Sequence, residues 1–201
     1  LHGELKNTFA AYLKRISLSY EVICGDFIEE AVNRIQFSNG GGFTHAIMNP
    51  PYKKISSDSR HRLLLRQVGI ETVNLYSAFV ALTLLLMAPG GYIVAIIPRS
   101  FCNGPYYRPF RNMLLELSAI RHIHLFESRN TAFKDDGVLQ ENVIVLLERG
   151  GKRGEVHVTT STDDRFSNFA VHVHPFERIV LPGDRENFIH IPTSSDLSTI
   201  Q

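Results

Sequence analysis

Residues 43–52 read FTHAIMNPPY, an apolar run that ends in an asparagine, two prolines and a tyrosine. The run Phe43–Met48 predicts a buried strand, which stops at the two prolines because a proline has no N–H to donate to a sheet. The residue before a proline avoids the helical region, so Asn49 is held extended. The sequence therefore predicts a stiff elbow at the carboxyl end of a strand, from which the Asn49 carboxamide and the Tyr52 ring project. In an open α/β sheet, ligands bind at this edge.

Two acidic residues precede the elbow, and each is predicted to follow a strand. Glu4 closes the stretch 1–5, and Asp26 follows the apolar stretch 20–24 at the start of a helix. Carboxylates at strand ends suit a nucleoside: Glu4 could accept from ribose hydroxyls, and Asp26 from an adenine amino group while Phe27 packs on the ring. Each acid could instead be a helix N-cap, and for Asp26 both interpretations stay open.

The chain after the elbow alternates between charged and apolar segments. Residues 53–69 are polar and basic, which is typical both of a mobile loop near a phosphate-bearing substrate and of a merely solvated segment. Residues 74–87 predict the most apolar helix, buried on more than one side, and the PGG sequence of residues 89–91 is predicted to end it. The apolar run 92–97 predicts a central strand, which leads into a polar loop at residues 98–101.

Composition limits the classes of function. The chain has 201 residues, 44% of them hydrophobic, so it can bury one core. Its formal net charge of +1 excludes a basic signature of the whole chain, and nucleic-acid binding would have to use a local patch. The two cysteines form no disulfide or metal pattern, which favours a cytoplasmic location with Cys24 in the core. The longest apolar run, residues 78–88, is too short to span a bilayer, so we expect no membrane association.

Two His-x-His pairs are candidate metal ligands by their spacing, namely His122 with His124 and His172 with His174. An acid or thiol cluster does not accompany either pair in the sequence. We therefore expect packed or surface histidines and no metal.

The elbow resembles the NPPY catalytic motif of the N6-adenine DNA methyltransferases. This is a branch of the Rossmann-like AdoMet-dependent methyltransferases that includes restriction–modification methylases with an Eco57I-like motif. The block from Tyr76 to Pro98 is similar to that of the DNA-modifying branch rather than the glutamine-modifying branch. The resemblance implies an α/β fold with a mostly parallel sheet and helices on both faces. The glycine-rich loop that holds the methionine moiety of the cofactor is expected upstream of Leu1, so we expect the fold to be incomplete at the N-terminus.

The resemblance also implies roles for individual residues. The catalytic residues would be Asn49, Pro50, Pro51 and Tyr52, the residues that contact S-adenosylmethionine would be Glu4, Asp26, Phe27 and Asn49, and the residues that stack on the target base would be Tyr52 and Phe133. Phe126 is the competing assignment for Phe133, and Phe133 could also be a loop residue tucked into the core.

The implied chemistry starts from the adenine amine, a poor nucleophile because its lone pair is delocalised into the ring. The Asn49 side-chain oxygen and the Pro50 carbonyl oxygen could accept both amine protons and draw the nitrogen towards tetrahedral geometry. The base must first be flipped out of the duplex, and stacking on Tyr52 offsets part of that cost.

The implied function is that of a site-specific DNA adenine-N6 methyltransferase. Its substrate would be double-stranded DNA, and a restriction endonuclease domain or subunit is a candidate companion in a restriction–modification system. One alternative is an N-methyltransferase that acts on a protein glutamine or an RNA base. Another is a non-catalytic DNA-binding or specificity component.

The domain organisation follows the change in pattern near residue 150. Residues 1–150 are predicted to form the methyltransferase catalytic core from about its second strand onward. Short alternating strands then predict a β-rich extension, residues 151–201, that leads towards a target-recognition region. A short strand at residues 188–191 is part of this expectation.

Overall fold

A single sheet organises the part of the chain that the structure, a computed structural model, describes: residues 21–37, 42–126, 141–163 and 165–193, with Gly3, Glu4, Asn7, Thr8 and Ser19. The strands are β1 (Phe43–Met48), β2 (Met87–Pro98), β3 (Ser118–Phe126), β4 (Asn142–Arg149), β5 (Glu155–Ser161) and β6 (Ala170–Pro175). The helices are α1 (Phe27–Phe37), α2 (Arg60–Gln67), α3 (Leu75–Leu86), α4 (Arg108–Leu117) and α5 (Phe176–Ile179), with short 3-10 turns at Arg99–Phe101 and Pro105–Tyr107.

The six strands lie in the order β1-β2-β4-β3-β5-β6. β1 pairs parallel with β2 and β3 pairs parallel with β5, whereas β4 and β6 run antiparallel to their neighbours. Four strands therefore point the same way, which confirms the predicted α/β fold with a mostly parallel sheet and adds two antiparallel strands. The carboxyl ends of β1, β2, β3 and β5 meet at one edge, called the carboxyl edge below.

One face of this sheet carries the core. Ile93, Ala95 and Ile97 of β2 are fully buried at 0% exposure, while the alternate residues Val94 and Ile96 are half-buried. The helices α3 and α4 pack on the sheet through β2 and β3 and join the same apolar cluster. Period-two alternation thus places the helices of the described residues on this face. Helices on the second face remain a prediction.

The apolar helix α3 forms as predicted and packs against α1, α4 and β2. It ends at Leu86, so the PGG sequence lies inside β2 rather than at the helix end. At Gly91 a Cβ would lie 3.0 Å from the Thr44 carbonyl oxygen and 2.8 Å from the Met87 side chain. The glycine therefore permits the close approach of β2 to β1, which is a different role from the predicted helix stop.

The prediction of a strand at residues 20–24 is wrong for residues 21–24, which the structure describes. They have no strand structure, Ile23 is 50% exposed, and Cys24 is exposed rather than in the core. An apolar pattern shows only that a segment is able to form a strand. The strand forms only where a neighbouring strand supplies its hydrogen bonds. In the described sheet, β1 is an edge strand and these residues do not join it. β1 itself forms as predicted but is not buried, since Phe43 is 49% and Ile47 86% exposed.

Two further local predictions need correction. Gly3 and Glu4 have helical backbone, so Glu4 does not follow a strand as expected. Residues 188–191 form no strand; Ile189 is buried there and its N–H donates to the Cys102 carbonyl oxygen at 2.9 Å. One such bond fixes the segment without building a ladder.

The polar stretch 53–69 contains the helix α2 where a loop was one of the two expectations. The Ser59 hydroxyl accepts from the Arg62 N–H at 3.3 Å and caps the helix. Leu65 is fully buried, and the Arg62 guanidinium donates to the Thr72 carbonyl oxygen and to Glu71. One buried leucine, the buried Arg62 and one N-cap thus hold a helix in a segment whose composition is dominated by cations.

The stretch after residue 150 continues the same sheet. β5 pairs with β3 and β6 pairs with β5, while Phe176 and Ile179 of α5 join the main core. A boundary near residue 150 and a path towards a recognition region stay predictions. Among the described residues, none of the helices has the length and apolarity that crossing a membrane requires.

Candidate functional site at the elbow

The elbow lies at the carboxyl edge, directly after β1. Asn49 is exposed and Pro50 is buried, so the carboxamide faces outward from a fixed backbone. The Tyr52 hydroxyl lies 3.0 Å from the Asn49 side-chain oxygen and 3.2 Å from the Ile96 carbonyl oxygen. Its single proton is therefore shared between an elbow acceptor and a β2 acceptor, and this contact orients the carboxamide.

A group of aromatic rings supports Tyr52 from behind. Its ring meets the buried Tyr76 edge-on, with centroids 6.1 Å apart and an interplanar angle of 86°. Tyr76 in turn packs on Tyr107 at 5.6 Å and hydrogen-bonds to the Ser100 hydroxyl at 3.3 Å. The Asn74 amide donates to the Tyr107 hydroxyl at 2.5 Å. Burial raises the pKa of Tyr76, so its phenol stays a neutral hydrogen-bonding group.

The chain that leaves the elbow is fastened to the start of α3. The Leu75 N–H donates to the Lys53 carbonyl oxygen at 2.8 Å, and the Ile55 N–H donates to the Val73 carbonyl oxygen at 2.8 Å. The elbow is thus held on both sides, by β1 before it and by these two bonds after it.

Asp26 is the N-cap of α1, which is the alternative that the sequence left open. One carboxylate oxygen accepts from the N–H groups of Ile28 at 2.9 Å and Glu29 at 3.1 Å, and the other lies 2.8 Å from the His61 ring. Burial would raise the pKa of Asp26, but the Glu29 hydrogen bond and the His61 contact outweigh it and hold the pKa below its ordinary value. A carboxylate has about four lone-pair sites, so capping leaves it able to accept from a ligand.

Phe27 contacts a residue that the sequence did not single out. Its ring centroid lies 4.6 Å from that of Phe79 on α3. Phe79 is three residues after Tyr76, and residues at this spacing share one face of a helix. The Phe27–Phe79 contact and the Tyr52–Tyr76 contact therefore lie about one helical turn apart, roughly 5 Å along α3. Phe79 could have been found from the sequence, because it lies in the stretch NLYSAF of residues 74–79, three residues after Tyr76.

Of the other residues predicted for the site, the structure describes Phe126, and the surroundings of Glu4 only in part. Glu4 is exposed, and residues 1, 2, 5 and 6 beside it lie outside the described residues, as does Phe133. Phe126 packs on His124 at 4.6 Å, at the end of β3. β3 lies three strand spacings from β1, about 14 Å, whereas rings that enclose one base are roughly 7 Å apart. The strand order therefore disfavours Phe126 as the partner of Tyr52.

The arginines of the basic segment after the elbow form ion pairs with acidic residues of the protein. Arg60 lies 3.1 Å from Glu29, and Arg66 lies 3.1 Å from Glu71, which also pairs with Arg62. Lys53 and Lys54 of the same segment are exposed.

The histidine pairs take part in hydrogen bonds within the sheet. His122 and His124 both contact the Thr159 hydroxyl, at 2.7 Å and 2.8 Å. Burial lowers the pKa of each ring, and the charge of a neighbouring histidine lowers it further. Among the residues that the structure places, no three His, Cys, Asp or Glu side chains are grouped so that they could hold a metal ion.

Comparisons with known proteins agree with this architecture. The family model of the Eco57I restriction-modification methylase matches residues 6–133. The chain is 54% identical over 207 residues to the type II methyltransferase M.BsuBI of Bacillus subtilis, covering 100% of this chain and 41% of that protein. It is 44% identical over 181 residues to the type II methyltransferase M.PstI of Providencia stuartii, covering 89% of this chain and 36% of that protein.

A solved structure is also similar to most of the chain. The cryo-EM structure of the DrdV–DNA complex matches with a TM-score of 0.54 and 13% identity, covering 91% of this chain and 23% of that one. At this identity the likeness concerns the fold. The chain spans about two fifths of the length of the curated relatives that it matches.

Proposed function

The chain belongs to the Eco57I restriction-modification methylase family, and on this premise we propose that it supplies the catalytic centre of a site-specific DNA adenine-N6 methyltransferase. The methyl donor would be S-adenosylmethionine, and the full-length protein would act on double-stranded DNA in a restriction–modification system. One observation carries the proposal: the exposed Asn49 carboxamide is oriented by Tyr52, whose ring contacts α3 about one helical turn from the aromatic contact of Phe27. A catalytic amide and a nucleoside surface are therefore neighbours.

The Asn49 side-chain oxygen has two lone pairs, and the Tyr52 hydroxyl occupies one. The second is able to accept one proton of the adenine amine, and the Pro50 carbonyl oxygen accepts the other. Two fixed acceptors favour the pyramidal nitrogen whose lone pair attacks, so they stabilise the transition state more than the planar ground state. Pro50 is buried and its φ is fixed, which keeps the direction of that carbonyl constant.

The Tyr52 ring would stack on the extruded adenine. Its edge contact with Tyr76 fixes the plane of the ring before the base arrives. Stacking on an aromatic side chain stabilises a base by about 1–3 kcal/mol, which offsets much of the cost of unstacking. Phe133 remains the proposed partner on the second face of the base.

The residues present fit a nucleoside cofactor. The Phe27 and Phe79 rings are both partly buried and adjacent, and Asp26 keeps a charged carboxylate beside them. These groups would hold the adenine of S-adenosylmethionine, Glu4 would accept from its ribose, and Asn49 would lie against its reactive end. When bound, the cofactor supplies a methyl group that its sulfonium already activates. The protein's task is then to align the amine with it.

The class of the acceptor is tested with the full-length protein and labelled S-adenosylmethionine. We expect label on double-stranded DNA that contains the recognition sequence, and background levels on RNA and on glutamine-containing protein. DNA as the acceptor is favoured by the DNA complex formed by the structural relative DrdV. Label on protein or RNA alone would replace the proposal with one of the other methyltransferase classes.

A further inference from the structure

A cavity of about 530 Å³ lies beside the end of β2 and contains none of the elbow residues. Its polar lining includes Arg99, Asn103, Arg178 and His190, and Phe188 and Pro192 contribute apolar wall. The residues come from two distant parts of the chain, the turn after β2 and the segment after β6. The N–H of Ile189 fastens these parts together through the Cys102 carbonyl oxygen, so the cavity is built into the fold.

The part of the cavity that contains Arg99 lies at the carboxyl edge, close to the elbow. Arg99 directly follows β2, and the Ile96 carbonyl oxygen three residues earlier accepts from Tyr52. Three residues of extended chain span about 10 Å. DNA rises about 3.4 Å per nucleotide along one strand, so 10 Å corresponds to roughly three nucleotides from an adenine held at Tyr52.

The residues that line the cavity include two arginines and no acid. The guanidinium of one of them, Arg99, lies 3.0 Å from the carboxylate of Glu141. A guanidinium carries five donors, so this bond does not exhaust Arg99. Asp184 nearby is held by the N–H groups of Glu186 at 2.9 Å and Phe188 at 2.8 Å. The buried His174 beneath Arg178 stays neutral, because burial and then the Arg178 charge lower its pKa.

We propose that this cavity binds a phosphodiester group of the substrate DNA about three nucleotides from the flipped adenine. This inference rests on the proposed function and adds a contact that fixes the position of the duplex. Guanidinium groups match phosphate oxygens in geometry and in charge. The apolar wall at Phe188 and Pro192 suits the adjoining sugar. Phosphate contacts of this kind set the register of a protein on DNA and leave sequence reading to other groups.

The carboxylate of the cofactor has similar chemistry, but the topology favours DNA. Asp26 and Phe27 lie on α1 just before β1, at one end of the sheet. Arg178 lies on α5 after β6, at the other end. The cavity therefore includes Arg178 from the β6 side of the sheet and no residue of α1 or β1.

The test uses the full-length protein and a short mixed-sequence DNA duplex, with the dissociation constant measured over a salt series. In Arg178→Gln and in Arg99→Gln, we expect the slope of log K against log salt to fall by about 0.9, the value for one phosphate contact. Because affinity then depends less on salt, the difference from the wild type should shrink about threefold between 50 and 200 mM salt. The affinity for S-adenosylmethionine should be unchanged.

Lys152→Gln is the control, because Lys152 is an exposed cation in the turn between β4 and β5, at the edge of the sheet opposite to Arg99. It should keep the wild-type slope. Two cavity variants are used because, if one of them fails to fold, the slope of the second still tests the inference. Wild-type slopes in both cavity variants would overturn the inference, as would a loss of cofactor affinity in its place. Either result leaves DNA methylation by the wild type intact, so failure of the inference is distinct from failure of the proposed function.

Discussion

The elbow and the stretch that leads to Asp26 were both predicted to follow strands, but only the elbow does. The elbow is shaped by its own prolines and by the pairing of β1 with β2. Residues 21–24 carry a similar apolar pattern without a strand partner among the described residues, and Asp26 is held by the helix that it caps. The backbone conformation that prolines impose is therefore set by the local sequence, whereas a strand forms only beside another strand.

The same contrast separates two kinds of functional residue. The exposed side chain of Asn49 is held by Tyr52 and supports no helix or strand in the described structure. Asp26 has a structural task as the cap of α1 and a proposed binding task. Substitutions at Asn49 should therefore change the chemistry alone, and substitutions at Asp26 should change stability and cofactor binding together.

The largest effect is expected for Asn49→Ala in the full-length protein. Removing one fixed hydrogen-bonding group that acts in the transition state typically lowers kcat by about 100- to 1,000-fold. We expect a loss of this size, with nearly unchanged affinity for S-adenosylmethionine. Single-turnover methyl transfer and calorimetric titration measure the two quantities. Asn33→Ala, at an exposed amide of α1, should retain wild-type activity. An Asn49→Ala enzyme with wild-type activity would contradict the assignment.

Tyr52 distinguishes stacking from hydrogen bonding within the elbow. Tyr52→Ala removes the ring, so binding of the extruded adenine should weaken by about 5- to 150-fold, the equivalent of 1–3 kcal/mol. Tyr52→Phe keeps the ring and loses only the hydrogen bonds to Asn49 and Ile96, so its effect should be smaller. Fluorescence of 2-aminopurine at the target position reports both, and equal effects would argue against stacking.

A series at Asp26 separates the cap from the proposed binding role. Asp26→Ala should lower the free energy of unfolding by about 1 kcal/mol, whereas Asp26→Ser keeps a capping oxygen and should restore most of it. Both variants lack the carboxylate, so both should bind S-adenosylmethionine about 10- to 100-fold more weakly. Chemical denaturation and calorimetry measure the two quantities. If Asp26→Ser also recovered cofactor affinity, the carboxylate would be a cap only.

The smallest effect is the pH dependence that Asp26 confers. Its pKa lies below the ordinary value of 3.8 because hydrogen bonds and His61 stabilise the charged form. The native state therefore binds fewer protons than the unfolded state, so the stabilisation is complete above the ordinary pKa and is lost as the pH falls through the lowered one. The melting temperature of Asp26→Asn should lie below that of the wild type at pH 6, and the difference between the two should shrink as the pH falls below 3.8. A constant difference across that range would contradict this account.

The parts of the fold that the sequence predicted well are those with local causes. The elbow, the apolar helix α3 and the strand β2 follow from prolines, from all-round apolarity and from a continuous apolar run. The helix α2 was missed as an element because its cations dominate the composition, while its cap at Ser59 and its buried Leu65 decide the structure.

The parts that the sequence could not fix depend on distant residues. Which strand lies beside which is a global property, so the joining of β5 to β3 could not be predicted. The contact of Phe27 with Phe79 needed the packing of α1 on α3. The cavity at Arg99 needed the return of residues 188–192 to the end of β2. In each case the residues can be identified in the sequence, but the sequence does not show that they lie close together in the fold.

The most direct test of the elbow's proposed role is the identity of the methylated atom. DNA treated with the full-length protein and labelled S-adenosylmethionine is digested to nucleosides and examined by mass spectrometry. If two carbonyl oxygens of the elbow hold an adenine amine, the label will appear as N6-methyladenine and will be absent with the Asn49→Ala protein. Label on cytosine, or N6-methyladenine formed equally well without the Asn49 carboxamide, would contradict the account.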